Sequence, residues 1–321
     1  MANHIAAVPG LSVGNAADEV RRTGTTAVVF DQPATASVAV RGGAPGTRET
    51  DLLQPGNLNP GVDAIVLSGG SAFGLAAADG AQRALAEAGR GFQVRTFRIP
   101  IVPAAIIFDL SEGLADYAAL GGAAVRAALE GSDRGVGTLG AGTNANTAGL
   151  KGGLGSASET VGGATVGAIV AVNAVGSVTA ANGPWFRAAP FEQQGEFGGL
   201  HAPAEADFAS VVTKHTASAR ENTVIAIVAT DAALSVAEAH RLAGVAHDGI
   251  ALAAYPAHTL LDGDTVFAAS TGRAPAPASP ADFIALHAAA TRALARAMAR
   301  GVYEASAVPG DRFPTWRERY G

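Results

Sequence analysis

Short β-branched runs alternate with alanine-rich stretches along this chain, and the two patterns predict different elements. Residues 24–30 (GTTAVVF), 36–41 (ASVAVR), 62–68 (VDAIVLS), 164–172 (ATVGAIVAV), 223–230 (TVIAIVAT) and 264–270 (DTVFAAS) read as strands bounded by Gly, Pro or Asp. Several are apolar at successive positions rather than alternate ones, which predicts a sheet covered on both faces. Helices are predicted over 72–89, 115–130, 231–246 and 280–299. In the last of these, Phe283, Leu286, Ala290, Leu294 and Met298 recur at spacings of three and four, behind a start marked by Pro280 and Asp282. Such a stripe packs on a sheet, so the pattern as a whole is α/β.

Between residues 187 and 222 the periodicity fails. The segment RAAPFEQQGEFGGLHAPAEADFASVVTKHTASAREN is polar and broken by Gly and Pro, as expected of a loop or linker of unusual length. It gives way abruptly to the apolar run that begins at Thr223. No internal repeat or low-complexity tract interrupts the rest.

Composition narrows the function classes. With 321 residues, 48% of them hydrophobic, and a mean hydropathy of +0.23, the chain can bury a large core and is not disordered. Its 41 Gly and 16 Pro carry no G-X-Y period, which excludes a collagen-like chain. A net charge of −6 argues against a nucleic-acid surface and favours small-molecule chemistry. The absence of Cys removes disulfides, thiolate nucleophiles and Cys-ligated zinc. The opening MANHIAAVPGLSVGN has neither a basic segment nor a long apolar one, and no stretch of about 18 apolar residues follows. A cytoplasmic protein that does not enter the membrane is expected. Among 22 cationic residues only Lys151 and Lys214 are lysine, which singles out both as places to look for chemistry that an arginine cannot do.

Several familiar motifs are approached and missed. GGSAFG at 69–74 and GGLGSAS at 152–158 are glycine-rich, but neither is G-x-G-x-x-G, and no phosphate loop ends at Lys151. Ser71 lacks the second glycine of a nucleophile elbow, since Phe73 stands there. An S-x-x-K arrangement fails because Ala148 lies three before Lys151. The seven histidines (His4, His201, His215, His240, His247, His258, His287) form no ligand spacing, so no metal and no other cofactor are expected.

One arrangement is chemically suggestive. Cleavage between Asn222 and Thr223 would expose an α-amine, of pKa about 7.7–8.0, one residue from its own hydroxyl. That amine can take the hydroxyl proton and so activate a weak nucleophile. A threonine also commonly begins a strand, and the local sequence leaves both readings open.

The segments VPGLSVGN (8–15), VRGGAPGTRETDLL (40–53), VLSGGSAFGLAAADG (66–80), GLKGGLGSAS (149–158), VGAIVAVNAVG (166–176), ENTVIAIVATDAAL (221–234), AHDGIA (246–251) and HTLLDGDTVFAAST (258–271) together resemble the DmpA-type family of self-cleaving aminopeptidases. They occur in the family's order from about residue 5 to 300. The chain is also similar to the NylC-type nylon-oligomer hydrolases, whose nucleophilic Thr follows Asn, as at Asn222 and Thr223. The resemblance implies a four-layer αββα sandwich of the N-terminal-nucleophile hydrolase kind, made as one catalytic domain over 1–321. It further implies autocleavage into chains 1–222 and 223–321 that stay associated, and a homo-oligomer of four or more copies.

Site residues follow from the same resemblance. Thr223 corresponds to the nucleophile and Asn173 to an amide that donates to the oxyanion. Lys151 matches an active-site lysine of the NylC type. Asp262 and Asp264 match the polar pair set against the nucleophile, where they would orient its amine, although a D-G turn between strands explains the same residues. Gly69, Gly70 and Ser71 are expected near the substrate pocket. One departure concerns Phe108, which precedes Asp109 where family members often carry Tyr, so a phenolic donor is missing from the pocket. The activity implied is hydrolysis of short peptides, amides or esters through an acyl-enzyme. Hydrolysis of 6-aminohexanoate oligomers and acyl transfer of the ornithine acetyltransferase type are the alternatives.

Overall fold

The computed structural model describes residues 3–59, 61–214 and 221–321; His215 and residues 216–220 of the expected linker lie outside them. The strands are β1 (Leu11–Asp18), β2 (Thr23–Val40), β3 (Thr47–Arg48), β4 (Val62–Ser68), β5 (Phe92–Val94), β6 (Phe97–Ile99), β7 (Ala104–Ile106), β8 (Leu154–Val161), β9 (Ala164–Asn173), β10 (Thr223–Ala232) and β11 (Thr265–Ala274). The helices are α1 (Ala77–Glu87), α2 (Tyr117–Glu130), α3 (Val236–Ala253), α4 (Pro280–Tyr303) and α5 (Trp316–Tyr320).

Strand β2 organises the molecule. Its first half pairs with β1 and β4, and its second half, Thr35–Val40, pairs with β11. The strand order β3-β7-β4-β2-β11-β10-β9-β8 therefore runs through β2 from one sheet into a second. The two sheets face each other. Val28, Phe30, Ile65 and Leu67 of the first share one apolar layer with Ile169, Ala171, Ile225, Ile227 and Phe267 of the second.

Alternation along the strands supplies the outer layers. Ala27, Val29, Ala64 and Val66 turn away from the middle and meet α1 and α2. Val224, Ala226 and Val228, with Val170, Val172 and Val266, meet α3 and α4. The result is helix, sheet, sheet, helix, the expected αββα sandwich. Both faces of each sheet are buried, which is why so many strands are apolar throughout. The stripe predicted on α4 is the face that packs, with Leu286, Ala290, Leu294 and Met298 buried and Phe283 at the margin.

Three element boundaries differ from expectation. The runs 24–30 and 36–41 fall in one continuous strand that ends at Val40, and Asp31, Gln32 and Pro33 between them are exposed where β2 passes from sheet to sheet. The helix expected from 231 starts at Val236, because Ser235 and Glu238 form a capping box and Asp231 stays in β10, its Oδ1 accepting from Thr165 N. The helix expected over 72–89 opens as a tight turn over Ser71–Ala76 before α1 begins. Among the described residues no helix is long and apolar enough to cross a membrane.

Candidate active site

Thr223 opens β10, and its partner in the antiparallel register is Asn173, the last residue of β9. By parity Thr223 shares a face with Ile225 and Ile227, so its hydroxyl sits at the mouth of the apolar layer between the sheets. It is 5% exposed. Its Oγ1 donates to the carbonyl oxygen of Asn222, the carbonyl of the bond that would be cut. That oxygen also accepts from Gly263 N at 3.1 Å. Asn222 is itself buried, with its Oδ1 unpaired among the described residues.

The loop before β11 brings two carboxylates to this point. Asn222 forms a parallel bridge with Asp262, and Asp264 Oδ1 accepts from Val224 N at 2.8 Å, so the acids bracket the peptide on either side of Thr223. Asp262 Oδ2 is held by the amide and hydroxyl of Thr259, at 2.8 and 2.7 Å. Burial, and then the charge of Asp264, push the Asp262 carboxyl above its ordinary range. Asp264 Oδ2 pairs with His258 Nδ1 at 2.7 Å. No sequence motif marks His258 for this part, although it stands only six residues before Asp264.

Asn173 has all its side-chain capacity engaged. Its Oδ1 accepts from Asn146 N (3.0 Å) and from Lys214 Nζ (2.8 Å). Its Nδ2 donates to the main-chain oxygens of Glu221 (2.8 Å) and Phe108 (3.2 Å). The amide thus grips the peptide one residue before Asn222, while the Asn222 carbonyl has the Gly263 donor. Beside it lies a cavity of about 110 Å³ bounded by Phe108, Asp109, Asn146, Lys214, Glu221 and Arg312. Glu221 and Arg312 pair across it at 3.2 Å.

The two lysines part company here. Lys151 Nζ donates to Asp311 Oδ2 (2.7 Å) and Ser306 O (2.9 Å), tying the loop before β8 to the C-terminal segment. Among the described residues no contact joins its side chain to Thr223 or Asn173. Lys214 instead reaches the site. Burial, with the charge of Arg312 second, lowers its ammonium to about 7, against the opposing pull of Asp262 and Glu221. The sequence signal for Lys214 was only its rarity as a lysine.

Gly69 and Gly70 lie against Asp109, which lines the same cavity as Asn173, while Ser71 N donates to Ile107 O at 2.9 Å. Gly70 N donates to Asp109 Oδ1 at 2.6 Å and Thr23 Oγ1 to Oδ2 at 2.7 Å. A Cβ on Gly69 would stand 2.1 Å from that carboxylate, so glycine is what admits it. Burial raises Asp109 to about 6. Phe108 contributes its carbonyl to Asn173 and is one of the residues bordering the cavity. Among the described residues no three His, Asp or Glu side chains converge as a metal site would require.

Comparison with known proteins adds an independent line. A model of peptidase family S58 matches residues 3–314. An uncharacterized aminopeptidase of Mycobacterium tuberculosis is 45% identical over 316 residues, spanning 91% of this chain and 89% of its own. A 6-aminohexanoate-oligomer endohydrolase of Paenarthrobacter ureafaciens is 31% identical over 286 residues, 85% of this chain and 76% of its own. Among solved structures, the L-aminopeptidase D-Ala-esterase/amidase of Ochrobactrum anthropi, described as a variant of the Ntn hydrolase fold, superimposes with a TM-score of 0.65. The match is 22% identical and covers 97% of this chain and 89% of that one. A β-aminopeptidase of Burkholderia sp. superimposes equally well, at 22% identity over 96% and 88% of the two chains.

Proposed function

This chain belongs to peptidase family S58 and is an amide-bond hydrolase of that family, and we propose that it cuts itself before Thr223 and then acts as an aminopeptidase with Thr223 as nucleophile. The observation that carries this reading is the hydroxyl of Thr223 lying against the carbonyl of Asn222, inside a buried site that also holds Asn173, Asp262 and Asp264. In the first step Oγ1 attacks the Asn222 carbonyl carbon. The C–N bond breaks, the hydroxyl proton passes to the leaving nitrogen, and an ester joins Asn222 to Thr223. Gly263 N–H stabilises the charge that develops on the carbonyl oxygen. Water then cleaves the ester and releases residues 1–222 from 223–321.

The cut changes what the same groups can do. Thr223 gains an α-amine beside Asp262 and Asp264, which orient it to deprotonate the hydroxyl. Asn173 Nδ2, held by Glu221 O in the intact chain, becomes free to bind an incoming acyl carbonyl once that tail moves. The substrate's amide is attacked as the chain's own was, and water resolves the acyl-enzyme. A cytoplasmic homo-oligomer of four or more copies belongs to the same proposal, supported by exposed apolar side chains such as Leu58, Phe97, Leu260 and Ile284. Light scattering at working concentration measures the copy number.

The likeness to the oligomer endohydrolase supports a second substrate reading, linear 6-aminohexanoate amides, through the same nucleophile. The test combines intact mass, amino-terminal sequencing and a panel of aminoacyl p-nitroanilides beside 6-aminohexanoate oligomers. Two fragments with Thr223 leading the smaller, and turnover of the anilides, are expected. Thr223→Ala should stay whole and inactive. A whole wild-type chain after long incubation, or turnover by Thr223→Ala, would overturn the assignment.

A further inference from the structure

Lys214 is enclosed by protein, yet among the described residues no carboxylate pairs with its ammonium. Its Nζ instead serves two oxygens of a single residue, Asn173 O at 3.1 Å and Asn173 Oδ1 at 2.8 Å. Taking a lysine out of water without a counter-ion is unfavourable, so the placement needs a return elsewhere. Its main chain is fixed independently: Lys214 N donates to Val175 O at 3.0 Å, and Thr213 bridges to Gly176 just beyond β9. The lysine therefore remains seated when the chain is cut eight residues later.

We propose that Lys214 is the positioning residue of the site, holding the Asn173 amide so that Nδ2 faces the acyl carbonyl. An asparagine amide has an acceptor end and a donor end of nearly equal size, and turning it over exchanges them. Here Oδ1 receives two donors, Asn146 N and Lys214 Nζ, at 3.0 and 2.8 Å. A turned amide would set its NH2 against both, with nothing to accept. The donor end is thereby aimed at the position that Glu221 O fills in the intact chain and that a substrate carbonyl fills later. This inference rests on the reading of Thr223 as nucleophile, and it gives Lys214 a role without direct contact with substrate.

The test uses Lys214→Met, Lys214→Ala and Thr223→Ala, each followed for self-cleavage by intact mass and for kcat and KM on an aminoacyl p-nitroanilide. Lys214→Met keeps the length and removes the donors; kcat should fall about 10- to 100-fold, as for loss of a supporting contact, with KM within about twofold. Lys214→Ala opens space beside cavities of about 110 and 340 Å³, so added ethylamine should restore part of kcat. Wild-type kcat in Lys214→Met, a loss carried by KM instead, or no response of Lys214→Ala to ethylamine would each overturn the proposal. Turnover by Thr223→Ala would instead overturn the nucleophile assignment beneath it. An inactive Thr223→Ala with an unaffected Lys214→Met removes the lysine's role alone.

Discussion

Gly263 offers a way to disturb the nucleophile without removing any polar group. An added Cβ would stand 2.8 Å from Thr223 Oγ1 and 2.7 Å from Ala44 O, where ordinary contact begins at 3.4 Å. Ala44 O is main chain, and Ala44 N is bonded to Asp262 O at 2.8 Å, so it yields little. The threonine hydroxyl must move by about 0.6 Å or change rotamer. Gly263 lies outside the left-handed region, so alanine brings no backbone strain, and its N–H still serves the Asn222 carbonyl. Misplacement of a reacting atom by about 1 Å costs on the order of 100-fold in rate. Gly263→Ala should accordingly self-cleave about 10- to 100-fold more slowly, with a stability loss of about 1–3 kcal/mol from overpacking. Freshly purified precursor is followed by denaturing electrophoresis, alongside a thermal melt. A variant that melts within that range yet matures at the wild-type rate would show that the hydroxyl position seen here is not the one that reacts.

Asp109 carries a pH signature of its own. Its folded value is about 6 against an ordinary 3.8, so between those values the folded chain keeps a proton that the unfolded chain has lost. Stability should therefore fall as pH rises from about 4 to 6 and level off above, by roughly 3 kcal/mol in all at 1.36 kcal/mol per unit. Asp109→Asn removes that slope, and its unfolding free energy should gain on the wild type across the window; parallel curves would show that burial does not hold the proton. Lys151→Met separates anchoring from chemistry. The geometry predicts a loosened C-terminal segment and a stability loss of about 1–3 kcal/mol with kcat nearly unchanged, since Lys151 Nζ binds Asp311 and Ser306. A collapse of kcat at unchanged melting temperature would return Lys151 to the chemistry.

How far the sequence reaches can be judged element by element. The strands at 62–68, 164–172 and 223–230 are legible because their side chains are buried on both faces, so composition alone betrays them. Strands β1 (LSVGNAAD) and β8 (LGSASETV) are not, because Gly, Ser, Ala and Asn carry little β preference; they are strands through their pairing with β2 and β9. The break at Asp31–Pro33 looks like a turn in one dimension and is the crossing point of β2 between sheets in three.

At the site, the resemblance to the self-cleaving aminopeptidases nominates Asn222, Thr223, Asn173, Asp262 and Asp264, whereas the local order alone leaves Thr223 readable as an ordinary strand start and Asp262 and Asp264 as a D-G turn. The same resemblance put Lys151 at the site and left Lys214 marked only by its rarity as a lysine. Which lysine reaches Asn173 depends on which remote segments share a strand end. The register of β9 with β10 sets Asn173 opposite Thr223, and the bridge from Thr213 to Gly176 sets Lys214 on Asn173, while Lys151 is carried off to Asp311. Local pattern determines which stretches become strands and helices, since that depends on neighbours in the chain. The meeting of residues 173, 214, 223 and 262 depends on how two sheets close face to face, and only the tertiary structure decides it.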